Sequence, residues 1–128
     1  MTPYVLNDFA LKELRDGFTG DIITPGDPTY DDARTLFNAM INKRPAVIAQ
    51  CETIDDVARA IWFGRERKFE IAVRCGGHGV AGNALTDGGI VIDLRRMRAV
   101  TVDPEARTAT VAGGATMLDA DQATAPFA

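Results

Sequence analysis

The sequence predicts an α+β fold, and three observations carry that prediction. Ile90-Val91-Ile92 is a continuous apolar run, as in a strand covered on both faces. Val100 and Val102 alternate with polar neighbours, and so do Ala109 and Val111. The link between them, Asp103-Pro104-Glu105-Ala106, has turn chemistry, so the pair reads as a hairpin. Thr53 opens a clear helix, with Asp55 and Asp56 in its first turn and Arg65, Arg67 and Lys68 in its last. That charge order suits the helix dipole. Strands mixed with helices in this way define the class.

The remaining elements follow in chain order. Asn7 to Phe18 reads as a helix, with Asn7 as N-cap and Leu11, Leu14 and Phe18 on one side. Gly20 to Pro28 is rich in breakers and reads as loop. A second helix is expected from Tyr30 to Asn42. Thr29 and Asp32 form a capping-box-like pair, and Ala33, Leu36, Phe37 and Met40 share its face. Ala46 to Ala49 is a short apolar strand after Pro45. In the helix opened by Thr53, the expected buried stripe is Ile54, Val57, Ile61 and Gly64. A buried strand, Ile71 to Val73, leads into a glycine-rich loop from Cys75 to Gly89. Gly113-Gly114 ends the hairpin, and a last helix starts near Thr116.

Composition narrows the function. A chain of 128 residues forms one domain at most, and one large enough to bury a core. The net charge of −4 argues against a general nucleic-acid binder, which needs clustered cations. Arg95, Arg96 and Arg98 read as a solvated strand end. Cys51 and Cys75 do not resemble a disulfide framework, which points to a reducing compartment. Met1 to Asp8 lacks the basic and apolar regions of a secretory signal, and no apolar run reaches the length needed to cross a bilayer. A cytoplasmic location without membrane partners is the resulting expectation.

The chemistry is concentrated in Arg74-Cys75-Gly76-Gly77-His78-Gly79-Val80-Ala81-Gly82-Asn83. This stretch leaves the end of a strand, where open sheets commonly place ligand loops. Gly76, Gly77, Gly79 and Gly82 let the backbone turn through positive φ and bring N–H groups against an anion. A diphosphate suits such a loop, and Arg74 adds a positive charge. His78 is the only histidine of the chain and stands among the glycines. Plainer readings stand beside these: a tight irregular turn, and a hydrogen-bonded structural histidine. The spacing is neither the dinucleotide fingerprint nor a phosphate-loop lysine motif. A Cys75–His78 thiolate pair lacks a third, orienting group. A zinc site needs more ligands than one His and two distant Cys, unless Asp residues join.

These residues carry a resemblance. Val73-Arg74-Cys75-Gly76-Gly77-His78, then Gly82-Asn83-Ala84, then Asp87 to Leu94, resemble the FAD-linked oxidases of the vanillyl-alcohol oxidase and p-cresol methylhydroxylase type. Within that type they are similar to the berberine-bridge-enzyme-like branch. Supporting stretches are Gly26-Asp27-Pro28 with Tyr30-Asp31, Ala33-Arg34 and Phe37-Asn38, and downstream Val102-Asp103-Pro104, Arg107-Thr108-Ala109, Gly113 to Thr116, and Asp119 with Asp121. The resemblance covers about residues 24–128.

The resemblance implies a fold: an FAD-binding subdomain with a small mixed sheet flanked by helices, incomplete relative to the family. Residues 1–23 would form an N-terminal helical segment and residues 24–128 the N-terminal part of the FAD-binding domain. It implies that Arg74 to Gly79, with Gly82 and Asn83, bind the FAD diphosphate. It implies that His78 bonds covalently to the 8α-methyl of the flavin. A neutral imidazole nitrogen is a nucleophile near neutral pH, so that assignment is chemically coherent. The implied activity is oxidation of a small alcohol, amine or sugar by hydride transfer to the flavin, with the substrate-facing base supplied by a later domain.

The sequence departs from the family in several places. Cys51 and Cys75 do not occupy the position of the second flavin-bound cysteine found in bicovalent members. Met117 stands where an aromatic residue is common. The chain stops at Ala128, where the family continues into a second FAD-binding segment and a substrate domain. The expectation is therefore a portion of a longer enzyme, with exposed apolar surface for the missing half. The alternatives are a non-catalytic flavin- or nucleotide-binding module or split-enzyme subunit needing a partner, and a decayed remnant without ligand.

Overall fold

The structure is a computed structural model that describes residues 6–127. Most of the Met1–Asp8 stretch read for a secretory signal, and the chain end at Ala128, lie outside the described residues. The helices are α1 (Asp8–Arg15), α2 (Tyr30–Arg34), α3 (Ile54–Glu66) and α4 (Met117–Thr124), the last followed by a 3-10 turn at Ala125–Phe127. The strands are β1 (Asp21–Ile23), β2 (Val47–Gln50), β3 (Ile71–Arg74), β4 (Ile90–Asp93), β5 (Val100–Asp103) and β6 (Thr108–Val111).

β1, β2, β4 and β3 form a four-stranded sheet in that order. β4 runs parallel to both β2 and β3, while β1 pairs antiparallel with β2. The sheet is therefore mixed, as expected. β5 and β6 form a separate antiparallel hairpin, with Asp103 accepting the Glu105 and Ala106 N–H groups in its turn. One face of the sheet carries Val47, Ala49, Ile90 and Ile92 against Leu11 and Leu14 of α1 and Ala60 and Phe63 of α3. The other face carries Ile48, Ala72 and Val91 against Tyr30, Ala33, Leu36 and Leu85. Every residue of β4 is buried, which is why its sequence is apolar without alternation.

Caps set the helix starts. Asn7 accepts the Ala10 N–H and Thr53 the Asp56 N–H, while Thr116 and Asp119 form a full capping box. Thr29 makes no side-chain cap.

Four sequence expectations are corrected. First, Asp21–Ile23 is a strand inside the stretch read as loop. Gly20 lets it close on β2, since a Cβ there would lie 1.8 Å from the Gln50 carbonyl oxygen. Second, α1 ends at Arg15, so Phe18 packs from a loop. Third, α2 ends at Arg34 instead of Asn42. Thr35 turns extended, its hydroxyl donating to the Asp31 carbonyl, and Phe37 gives its N–H to the Gly77 carbonyl. Phe37 and Met40 are consequently exposed.

Fourth, α3 is rotated from its predicted stripe. Gly64 is buried and Val57 packs on the core as predicted, but Asp56, Ala60 and Phe63 make up the rest of the inward face, whereas Ile54 and Ile61 are exposed. The cause is Asp56. Its carboxylate accepts the backbone N–H groups of Thr19 at 2.8 Å, Gly20 at 3.0 Å and Glu52 at 2.9 Å. Burial alone pushes this carboxyl up, but the N–H donors of Glu52, Thr19, Gly20 and Thr53 outweigh it and hold the pKa below its usual value. A carboxylate so held must point inward, and it turns the helix with it.

Asp56→Asn keeps the shape but sets an amide against those donors. It should lower the unfolding free energy by about 3 kcal/mol, measured by urea denaturation at neutral pH. Because the folded pKa is depressed, this contribution is complete above the unfolded carboxyl value. It disappears as pH falls through the folded one, so the variant should show a weaker loss of stability on acidification.

Candidate functional site

The carboxyl ends of β3 and β4 define the site. Arg74 and Asp93, the last residues of these strands, are register partners, and both are buried. Asp93 is committed to Arg95, which approaches it at 2.6 Å through Nη2 and at 3.0 Å through Nε. Arg74 has less compensation. Its Nη1 donates to the Ala33 carbonyl at 2.9 Å, an acceptor it shares with Arg95 at 3.3 Å. Its Nε is buried without a partner among the described residues. Burial and the adjacent Arg95 charge both lower its pKa, with Asp93 acting in the opposite sense. A guanidinium stays charged regardless, so positive charge is left over beneath the loop.

The loop lies directly on this charge. A Cβ on Gly77 would sit 3.2 Å from Arg74 Nη2 and 3.0 Å from Leu36 Cδ2. Gly77 and Gly82 have φ of +74° and +73°, values that favour glycine. Gly82 packs on Ile41, which a Cβ would approach to 2.9 Å, and its carbonyl accepts from Lys43 Nζ at 3.2 Å. Gly76, His78, Gly79 and Asn83 are exposed, and Cys75 is half-buried. A Cβ on Gly79 would meet nothing within 4 Å. Among the described residues, the N–H groups of Gly76, Gly77, His78 and Gly79 donate to no protein acceptor. Consecutive N–H groups without protein acceptors, next to a buried cation, are donors of the kind that an anion can take.

Every residue named for the site from sequence thus belongs to this one loop or to the strand end beneath it. Periodicity places Leu36 to Asn42 in a helix, whereas these residues, with Lys43, clamp the loop from below. The Phe37-Asn38 pair was the available signal. β3 is an edge strand with Val73 exposed, not the fully buried strand expected. The three following arginines form no open patch: Arg95 pairs with Asp93, Arg96 with Asp21 and Glu52, and Arg98 with Asp119. No cluster of His, Cys, Asp and Glu among the described residues could hold a metal ion. Cys75 and Cys51 are both unpaired thiols.

Comparison with known proteins bears on what this loop holds. Residues 45–128 match the family described as "FAD binding domain". The chain belongs to that family. It is 35% identical over 108 residues to (R)-6-hydroxynicotine oxidase of Paenarthrobacter nicotinovorans, covering 84% of this chain and 24% of the relative. It is 38% identical over 118 residues to berberine bridge enzyme-like D-1 of Nicotiana tabacum, covering 89% of this chain and 17% of the relative. Among solved structures, 6-hydroxy-D-nicotine oxidase from Arthrobacter nicotinovorans superposes with a TM-score of 0.82 at 34% identity. That match covers 86% of this chain and 24% of the other. The resemblance to the berberine-bridge-enzyme-like branch is thereby borne out, and so is the FAD-binding fold. The chain spans about a quarter of the length of these oxidases.

The loop geometry makes a contrast between glycines testable. Gly77→Ala places a Cβ at positive φ against Leu36 and Arg74, and should destabilise the fold by about 1–3 kcal/mol. Gly26→Ala, which meets nothing within 4 Å, should change stability by less than about 0.5 kcal/mol. Thermal and urea unfolding of the two variants measure both.

Proposed function

We propose that this chain is the N-terminal FAD-binding portion of an FAD-dependent oxidoreductase, and that His78 holds the flavin covalently. One observation carries the reading: free loop N–H groups lie over the partnerless Arg74 Nε, an arrangement that fits a diphosphate. Gly76, Gly77, His78 and Gly79 would present N–H groups to the phosphates. Arg74 would supply charge from beneath without being displaced, because it is locked under Gly77. Gly82 and Asn83 continue the same rim. When bound, FAD supplies the two-electron chemistry by which a small alcohol, amine or sugar is oxidised through hydride transfer. The protein's part here is to bind, to orient, and to present an imidazole nitrogen on an exposed ledge.

A second chain or further polypeptide would complete the flavin site and bring the substrate-facing base. Val111, Met117, Leu118 and Phe127 are exposed, and α4 buries no side chain, which supports a covering partner for that end. The unpaired cysteines support a reducing, cytoplasmic setting. No helix among the described residues is long and apolar enough to cross a membrane.

The test is acid precipitation after expression with FAD, both of this chain and of the full reading frame that encodes it. A yellow pellet, colourless in His78→Ala, is the expected result. A colourless pellet with a yellow supernatant would show FAD held without a tether and would remove that role from His78. Flavin in neither fraction of either protein would overturn the reading.

A further inference from the structure

The imidazole of His78 is exposed and makes no hydrogen bond among the described residues, but it has two close neighbours. Its ring folds back over Gly76, where a Cβ would lie 3.0 Å from Cδ2. On the other side stands Phe37, its ring centroid 4.7 Å from that of His78 with the planes 35° apart. Phe37 is 77% exposed, so this large apolar side chain spends little of its surface in the core. Its backbone is fixed to the same loop, because its N–H donates to the Gly77 carbonyl at 3.2 Å, one residue before His78. Leu36 fills the space beneath Gly77, and Asn38 Nδ2 reaches the Val80 carbonyl at 3.5 Å. The segment after α2 therefore runs alongside the loop and delivers one aromatic ring to its one histidine.

We propose that Phe37 is a positioning residue for His78. It sets the plane of the imidazole by ring contact and so leaves both nitrogens unengaged for a ligand. A hydrogen-bonded histidine is oriented by giving up a nitrogen to its partner. Ring contact orients the imidazole while leaving either nitrogen available to form the bond, whereas a hydrogen bond would commit one of the two. The inference rests on the reading of His78 as the flavin tether. It explains why an aromatic residue sits exposed where the helical periodicity predicted a buried one. Aromatic contacts of this kind are weak, so the expected effect is a bias in imidazole orientation and not an all-or-none switch.

The chain holds a single histidine, so the imidazole proton lines are identified in an NMR spectrum without assignment. In the wild type and in Phe37→Tyr those lines should be displaced by the neighbouring ring. In Phe37→Leu, which keeps apolar bulk and loses the ring, they should return toward free-histidine values while the unfolding midpoint stays unchanged. In the full reading frame, apoprotein incubated with FAD should form acid-stable flavin about 2- to 10-fold more slowly with Phe37→Leu. Phe37→Tyr should restore the rate to within about 2-fold, and total bound flavin should be equal in all three. Imidazole lines unmoved by Phe37→Leu, or wild-type attachment in that variant, would overturn the proposal. Failure of the tether itself has a different signature: acid-stable flavin that persists in His78→Ala.

Discussion

Everything at the site depends on how β3 and β4 are joined. They are adjacent, parallel strands, so the chain must return from the carboxyl end of one to the amino end of the other. Such a return is usually made by a helix. Here residues 75–89 make it without one, crossing the sheet face that carries Ile48, Ala72 and Val91. A non-helical crossover satisfies little of its own backbone, here through the Gly82 and Leu85 N–H groups donating to the Gly79 and Gly82 carbonyls. Its far half is satisfied by borrowing, as where Gly88 donates to the Arg44 carbonyl and the Gly89 carbonyl accepts from Ala46 and Val47. The near half, from Gly76 to Gly79, is left with its N–H groups open. The open N–H groups of the loop thus follow from a topological demand.

A buried charge lies beneath the loop as well. The register places Arg74 beside Asp93, a pairing that would ordinarily cancel. It does not cancel, because Arg95 takes the carboxylate from the following turn with its backbone N–H and its guanidinium together. Arg74 keeps one carbonyl acceptor and one partnerless nitrogen. A buried cation in this state is unfavourable until an anion approaches.

The rest of the molecule holds this edge still. Asp56 joins the start of α3 to the turn before β1 through the N–H groups of Thr19 and Gly20, fixing one outer layer on the sheet. On the opposite face Tyr30 is buried, and its hydroxyl donates to the Pro45 carbonyl at 2.7 Å, fixing α2. α2 in turn supplies Ala33, whose carbonyl receives both arginines, and sets the start of the segment that underlies the glycines. The hairpin and α4 stand apart from this scaffold, with β6 exposed along its length.

The sequence by itself determined the α+β class, the buried β4, the hairpin, the capped starts of α1, α3 and α4, and the loop that carries the site. Those features are local: an apolar run, an alternation, a capping side chain and a set of glycines each act within a few residues. Only the tertiary structure decided the rotation of α3, the early end of α2, the strand character of Asp21–Ile23 and the isolation of Arg74. Each of these turns on a partner distant in sequence: Asp56 on Thr19 and Gly20, Phe37 on Gly77, Ile22 on Ala49, and Arg74 on Ala33. Periodicity placed Ile54 and Phe37 in the core because it weighs apolar side chains alone. It cannot register that a carboxylate is drawn inward by three N–H groups, or that an aromatic ring has a histidine to meet outside.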